Sequence, residues 1–404
     1  MKYASCIGVV VMFCFLMACD NGEGTPQVRA LLTINLNANF MESAKDKWIL
    51  ATSETGEILD VKRLTEATTS QMLETTRPVS TFDLTIISVY DVPSAYTFYS
   101  IETFKGVPAE ETFTLGKITG TPATLAGNAA ITITNYSESL DPRSNIKFST
   151  KPYGAAGVFS ANYSGTTYSV NTPLYQGFNK VQVYGLRADV PVYKMISNVN
   201  AGDAVSVDFN TFEPFENFVP LNSFYGFAYV IGIEADDSHF ELVVSDKSSS
   251  ADPRKLYIGS VPGFPRYLTY VYSFSGFEFL KVGGPVASFV APVYNTSVTN
   301  NTLSGFKASI NTDHEYKLAQ WRENAGLHRA TWIVHSDKNT HPNIDFDFPQ
   351  QLTTAYPNLT KDGLVLSNGS FIRSAGTYTY LDMLADRFKN VRKTEYEMYT
   401  MAFN

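Results

Sequence analysis

Four of the five histidines, His314, His328, His335 and His341, fall within 28 residues, and Asp313, Asp337, Asp345 and Asp347 are interleaved with them. Imidazole and carboxylate in such density are what a zinc or calcium centre draws on. If the segment from Leu327 to Val334 is a strand, the odd separation of His328 and His335 puts them on opposite faces, and they cannot chelate together. A metal arrangement remains in which His335 or His341 meets Asp345 and Asp347 across a hairpin, with Ile344, Phe346 and Phe348 turned to the core. The alternative is a polar solvent face beside a loop. Other chemistry finds little support: there is no Gly-x-Ser-x-Gly, no glycine-rich phosphate loop and no His-Glu-x-x-His, since His314-Glu315 is followed by Leu at 318. No catalytic residue and no cofactor are expected, and the chain reads as a non-enzyme.

A second chemistry is aromatic. Trp321 is surrounded by Gln320, Arg322, Glu323 and Asn324, with no alternation that buries it. An exposed indole can stack on the apolar face of a sugar ring while Arg322 and Asn324 bond its hydroxyls. Trp332, on the face of Val334, and Trp48, before Ile49-Leu50, read as core. Thiol chemistry is excluded further on, because the three cysteines are Cys6, Cys14 and Cys19.

The elements that must position these residues are strands. Aromatic residues make up 14% of the chain and charged residues only 17%, a balance that favours sheets. From Val28 onward, short segments alternate apolar and polar side chains between turn residues. Leu31 to Leu36 comes first; Trp48 to Leu50 and Ile58 to Val61 flank a Thr55-Gly56 turn; Phe82 to Ile87, Tyr96 to Phe104 and Thr112 to Leu115 follow. Such a series within about ninety residues suits an immunoglobulin-like or transthyretin-like sandwich. Val107 to Leu115 and Val199 to Val207 share a Val-x-Ala-x-acid-x-apolar-hydroxyl-apolar pattern 92 residues apart, and Phe82 to Val89 has a counterpart at Phe178 to Tyr184. The fold class expected is all-β: tandem immunoglobulin/transthyretin-like sandwiches over 28–119 and 120–214, then a larger β-rich C-terminal domain over 215–404. The first boundary falls near Gly120-Thr121-Pro122. Within the last domain a helix is expected near Tyr380 to Lys389, with Leu381, Leu384 and Phe388 on one face, and a final strand from Glu395 to Phe403.

The N-terminus supplies an address. Met1-Lys2 precedes an uncharged apolar run, Ile7 to Leu16, too short to span a bilayer, and Leu16-Met17-Ala18-Cys19 then resembles the bacterial lipobox. That resemblance covers the first nineteen residues. It implies a signal peptide over 1–18, cleavage before Cys19, lipid on the Cys19 sulfur, a flexible linker over 19–27, and a membrane as partner. Stable anchoring takes at least two acyl chains. Losing Lys2 leaves 30 basic against 39 acidic residues, a net of −9, which disfavours nucleic acid. A lipobox followed by tandem β modules is similar to the surface lipoproteins of Bacteroidota, including glycan-binding ones, and implies an outer-membrane protein with its binding domain in 215–404. The competing expectation is a structural or adhesive subunit that binds another surface protein by strand exchange, its sheet edge uncovered by a polar loop from Lys62 to Pro78.

Overall fold

The computed structural model of the chain describes residues 27–403, apart from 93–95, 117–123, 151–159, 223, 236–238, 248, 250, 253–254, 324–327, 376–377 and 392. The lipobox with Cys19 and the boundary at Gly120-Thr121-Pro122 lie outside the described residues. The protein is all-β: two tandem sandwiches and a larger β-rich region after them.

In the first sandwich, Arg29–Leu36 lies between Ser70–Thr75, antiparallel to it, and Glu111–Leu115, parallel to it. Facing this sheet are Ile58–Leu64, Asp46–Thr52, Thr81–Val92 and Tyr96–Pro108. Alternation does the work: Leu32, Ile34, Leu73 and Phe113 meet Ile49, Leu84 and Phe104 in the core. The hairpin joining Asp46–Thr52 to Ile58–Leu64 turns at Gly56, whose φ is +84°. A Cβ there would stand 2.7 Å from the Asp345 carbonyl oxygen, so both the turn and the close approach require glycine. The segment from Lys62 to Pro78 is not a loop. It carries the end of one strand and all of Ser70–Thr75, because Leu73 has a core position to fill.

The second sandwich repeats this wiring. Leu125–Thr134 pairs antiparallel with Thr167–Tyr175 and parallel with Ala204–Asp208, while Val181–Arg187 sits between Lys147–Ser149 and Val190–Ile196 in the opposing sheet. The two similar sequence segments occupy equivalent places: Phe113 lies opposite Ile34 and Val205 opposite Ile131.

The larger region does not stand apart from the first sandwich. One twelve-stranded sheet runs in the order His239–Lys247, Gly226–Ile233, Arg266–Ser273, Phe277–Gly283, Tyr396–Phe403, Val365–Ser374, Tyr316–Glu323, His328–Asp337, Tyr96–Pro108, Thr81–Val92, Asp46–Thr52, Ile58–Leu64. Its neighbours are antiparallel except at one place, where His328–Asp337 runs parallel to Tyr96–Pro108 and joins the two halves. Spans 28–119 and 215–404 therefore share a sheet.

One face of this sheet is covered along its length. Trp48, Trp321, Trp332 and Phe403 are buried on it in one half, and Val230, Val271 and Phe279 in the other, where Tyr184, Leu186 and Tyr193 of the second sandwich pack on top. The opposite face is covered at the first sandwich and by the helix Tyr380–Phe388. Thr379 and Asp382 form a reciprocal cap on that helix, satisfying two of the amides a helix start leaves open. Its buried stripe is Tyr380, Leu384 and Phe388, four apart; Leu381, expected on that stripe, is 56% exposed. Phe388 stacks on Phe113 at 4.5 Å and meets Phe104 edge-on at 4.8 Å. Among the described residues no helix is long and apolar enough to cross a membrane.

Candidate functional site

The residues singled out for metal go to separate partners. The His335 ring stacks on Phe104 at 4.8 Å, and its Nε2 lies 3.1 Å from the Glu102 carboxylate, whose other oxygen accepts from Arg387 at 2.9 Å. Burial works against the charge on Glu102, but His335 and Arg387 outweigh it and hold its pKa below the usual value. His341 is exposed; what burial it has, with Lys317 and Lys307 nearby, pushes its pKa down. Asp345 accepts from the Asn343 amide at 2.8 Å, and the almost fully exposed Asp347 pairs with Lys361 at 2.8 Å. Among the described residues, no three His, Cys, Asp or Glu side chains converge as a metal site would need. His328 and His335 do sit on opposite faces of His328–Asp337, as their spacing requires.

Trp321 is not a stacking platform. It is fully buried, its ring is edge-on to Phe306 at 5.2 Å, and its Nε1 donates to the Asn301 carbonyl at 2.9 Å. The reason is its place in Tyr316–Glu323, a central strand whose Trp321 face is covered by the segment carrying Leu303 and Phe306, and where Trp321 pairs with the equally buried Trp332. Arg322, the next residue, points to the opposite side and is exposed. Asn324 lies outside the described residues.

Arg322 marks the face that does reach solvent. In the C-terminal half of the large sheet this face is packed at Tyr316, Leu318, Ile372 and Met398, whereas on Gly226–Ile233 and Arg266–Ser273 its side chains belong to no packed cluster among the described residues. At one end Phe227 lies opposite Tyr272 and Tyr229 opposite Tyr270 across two neighbouring strands. All four rings are half-buried, and their centroids stand 5.0 Å (Tyr229–Tyr270), 5.3 Å (Phe227–Tyr272) and 5.7 Å (Phe227–Tyr270) apart. Between them on each strand, Ala228, Val230, Thr269 and Val271 point to the covered face and are buried. The small residues fill the core and four large rings face out together.

Beside this array the next strands place polar groups on the same face. Glu278 is the register partner of Tyr272, and Thr400 is the partner of Glu278. Burial, then the neighbouring Glu278, pushes the Tyr270 hydroxyl well above its usual range, so it stays protonated. Further across, exposed Asn368 lies beside Gln320. With the Gln320 amide oriented by its hydrogen bonds, its oxygen accepts from Arg322 Nε and Nη2 at 2.9 and 3.0 Å and its nitrogen donates to Asn368 Oδ1 at 2.8 Å. Beyond these, the Arg329 guanidinium lies 4.0 Å over the Tyr96 ring, within the range of a cation–π contact. The arrangement offers flat apolar rings for stacking and hydrogen-bonding groups, both neutral and charged, next to them. It shows no nucleophile paired with a base.

The aromatic array escaped sequence reasoning, although its signal was present. Phe227, Tyr229 and Ile231, like Leu268, Tyr270 and Tyr272, alternate with smaller residues, and alternation alone does not say which set is inside.

No family model matches the chain, and no curated protein matches it. Among solved structures, a protein of Bacteroides ovatus described as a candidate adhesin is 9% identical and covers 42% of this chain and 76% of its own, with a TM-score of 0.15. A Ca2+-stabilised adhesin with which an Antarctic bacterium binds ice is 7% identical over 87% of this chain and 96% of its own, at 0.13. A Dscam structure concerned with isoform specificity is 9% identical over 77% and 97%, at 0.16. Overlays this loose carry no inference, and the fold class rests on the sheets themselves.

Proposed function

We propose that the protein is a lipid-anchored envelope lipoprotein, held at the outer membrane through Cys19, that binds an extracellular glycan on the open face of its large sheet. The observation that carries this reading is the array of Phe227, Tyr229, Tyr270 and Tyr272, half-exposed rings on a rigid sheet. Apolar patches of this kind on a protein surface mark binding sites, and rings held by a sheet lose little freedom when a ligand stacks on them. Thr400 and the exposed Asn368 supply hydrogen bonds for ring hydroxyls on the same face. The test is a glycan array probed with the full chain in detergent, beside a Tyr229→Ala/Tyr270→Ala variant. The expected result is binding to at least one glycan that drops at least tenfold in the variant; wild-type binding to none would overturn the reading.

A structural or adhesive subunit is the second reading, and one observation favours it: Ile58–Leu64 ends the twelve-stranded sheet, with no strand beyond it among the described residues. Such an edge is where another chain can add a strand. Ladders of oligomers that survive mild detergent would support that use, and a strict monomer would count against it.

A further inference from the structure

Resting on the glycan reading, we infer that the ligand is an extended, uncharged polysaccharide chain laid across the strands, from the aromatic array to exposed Asn368 beside the buried Gln320 amide.

The charges on the face are already engaged. Glu278 lies beside the Tyr270 hydroxyl, Arg322 donates to the Gln320 amide, and Arg329 lies on Tyr96. In the middle of the track an acidic polymer would meet the Glu278 carboxylate. An uncharged chain needs the groups that are there: rings for its apolar faces, and hydroxyl and amide groups for its edges.

The direction follows from what is covered. Phe227, Tyr272, Glu278 and Thr400 form one row perpendicular to the strands. The next residue in that row, Ile372, is buried in the cluster that the helix Tyr380–Phe388 completes. The open surface therefore steps along Val365–Ser374 to the half-buried Ser370 and the exposed Asn368. From Gly226–Ile233 to Tyr316–Glu323 is five inter-strand steps in the sheet order; at roughly 4.8 Å each the track is about 24 Å long, room for about four or five sugars of an extended chain. A ligand gripped only by the rings would be satisfied by a disaccharide.

The experiment is calorimetric titration of the full chain in detergent with linear neutral gluco-, manno- and xylo-oligosaccharides of two to six sugars, and with oligogalacturonates as the acidic probe. At least one neutral series is expected to bind, with affinity rising at least tenfold from two sugars to five. Asn368→Ala combined with Thr400→Val, both on the solvent face, is expected to remove that tenfold gain. Affinity that ignores chain length, or ignores those substitutions while Tyr229→Ala/Tyr270→Ala still abolishes it, would overturn the track and leave the glycan reading standing. Preference for oligogalacturonate would overturn the uncharged ligand. Absence of any glycan binding would overturn both; in that case, a dimer lost in Tyr229→Ala/Tyr270→Ala would identify the face as a contact between copies of this chain.

Discussion

Trp321 packs against Phe306, which lies 5.7 Å from Phe403. Trp321→Ala would leave a cavity in this layer and orphan the Asn301 carbonyl, a loss expected at about 3–5 kcal/mol. Urea denaturation would show it as a lower midpoint; an unchanged midpoint would contradict the buried placement. Glu241 gives a second expectation. It is 6% exposed on the edge strand His239–Lys247, its Oε1 has no partner, and burial raises its pKa to about 7. A carboxyl raised in the folded state adds stability that is complete below its unfolded pKa near 4.5 and lost as pH rises through 7. The loss should reach about 3 kcal/mol, and Glu241→Gln should abolish this part of the pH dependence between 5 and 8. Carboxylates held low by partners, such as Asp46 with Arg63, Tyr356 and Trp48, act below that window and do not obscure it. At this scale the sequence was legible where strand parity decided the matter, as for Trp332, Trp48 and the opposed His328 and His335. It failed at Trp321, because polar sequence neighbours do not reveal what packs above a central strand.

At the scale of elements, the strand Val365–Ser374 shows how tightly one element fits another. A Cβ on Gly369 would lie 1.9 Å from the Phe403 ring on Tyr396–Phe403. Gly369→Ala must push that ring out of its layer against Phe371 and Phe306, and overpacking of this kind is expected to cost about 1–3 kcal/mol. A thermal melt no lower than the parent's would show that the ring has room to move. Most elements were readable from periodicity, including the C-terminal helix and the last strand. Ser70–Thr75 was not, because polar Ser70, Gln71 and Thr75 mask a strand that contributes one buried leucine. The pairing of the aromatic strands was likewise visible only once the covered face was known.

For the whole molecule, the parallel contact between His328–Asp337 and Tyr96–Pro108 decides what can be separated. Excising residues 27–116 would strip the partner from Tyr96–Pro108 and the helix with Phe388 from the first sandwich core. That fragment is expected to aggregate or remain unfolded, while the intact chain keeps both; a soluble, cooperatively melting fragment would refute it. Internal similarity in the sequence pointed to two sandwiches of like wiring, which the sheets display. Nothing local could indicate that the first of them completes itself with a strand more than two hundred residues later, since pairing at that range leaves no periodic trace. The same distance sets a clock. Trp332 bonds Thr103 across a separation of 229 residues, and at roughly 5–20 residues per second synthesis would take about 10–45 seconds to bring them together. For that interval the newborn sandwich carries a bare strand edge, open to pairing with other chains until its own chain is long enough to cover it.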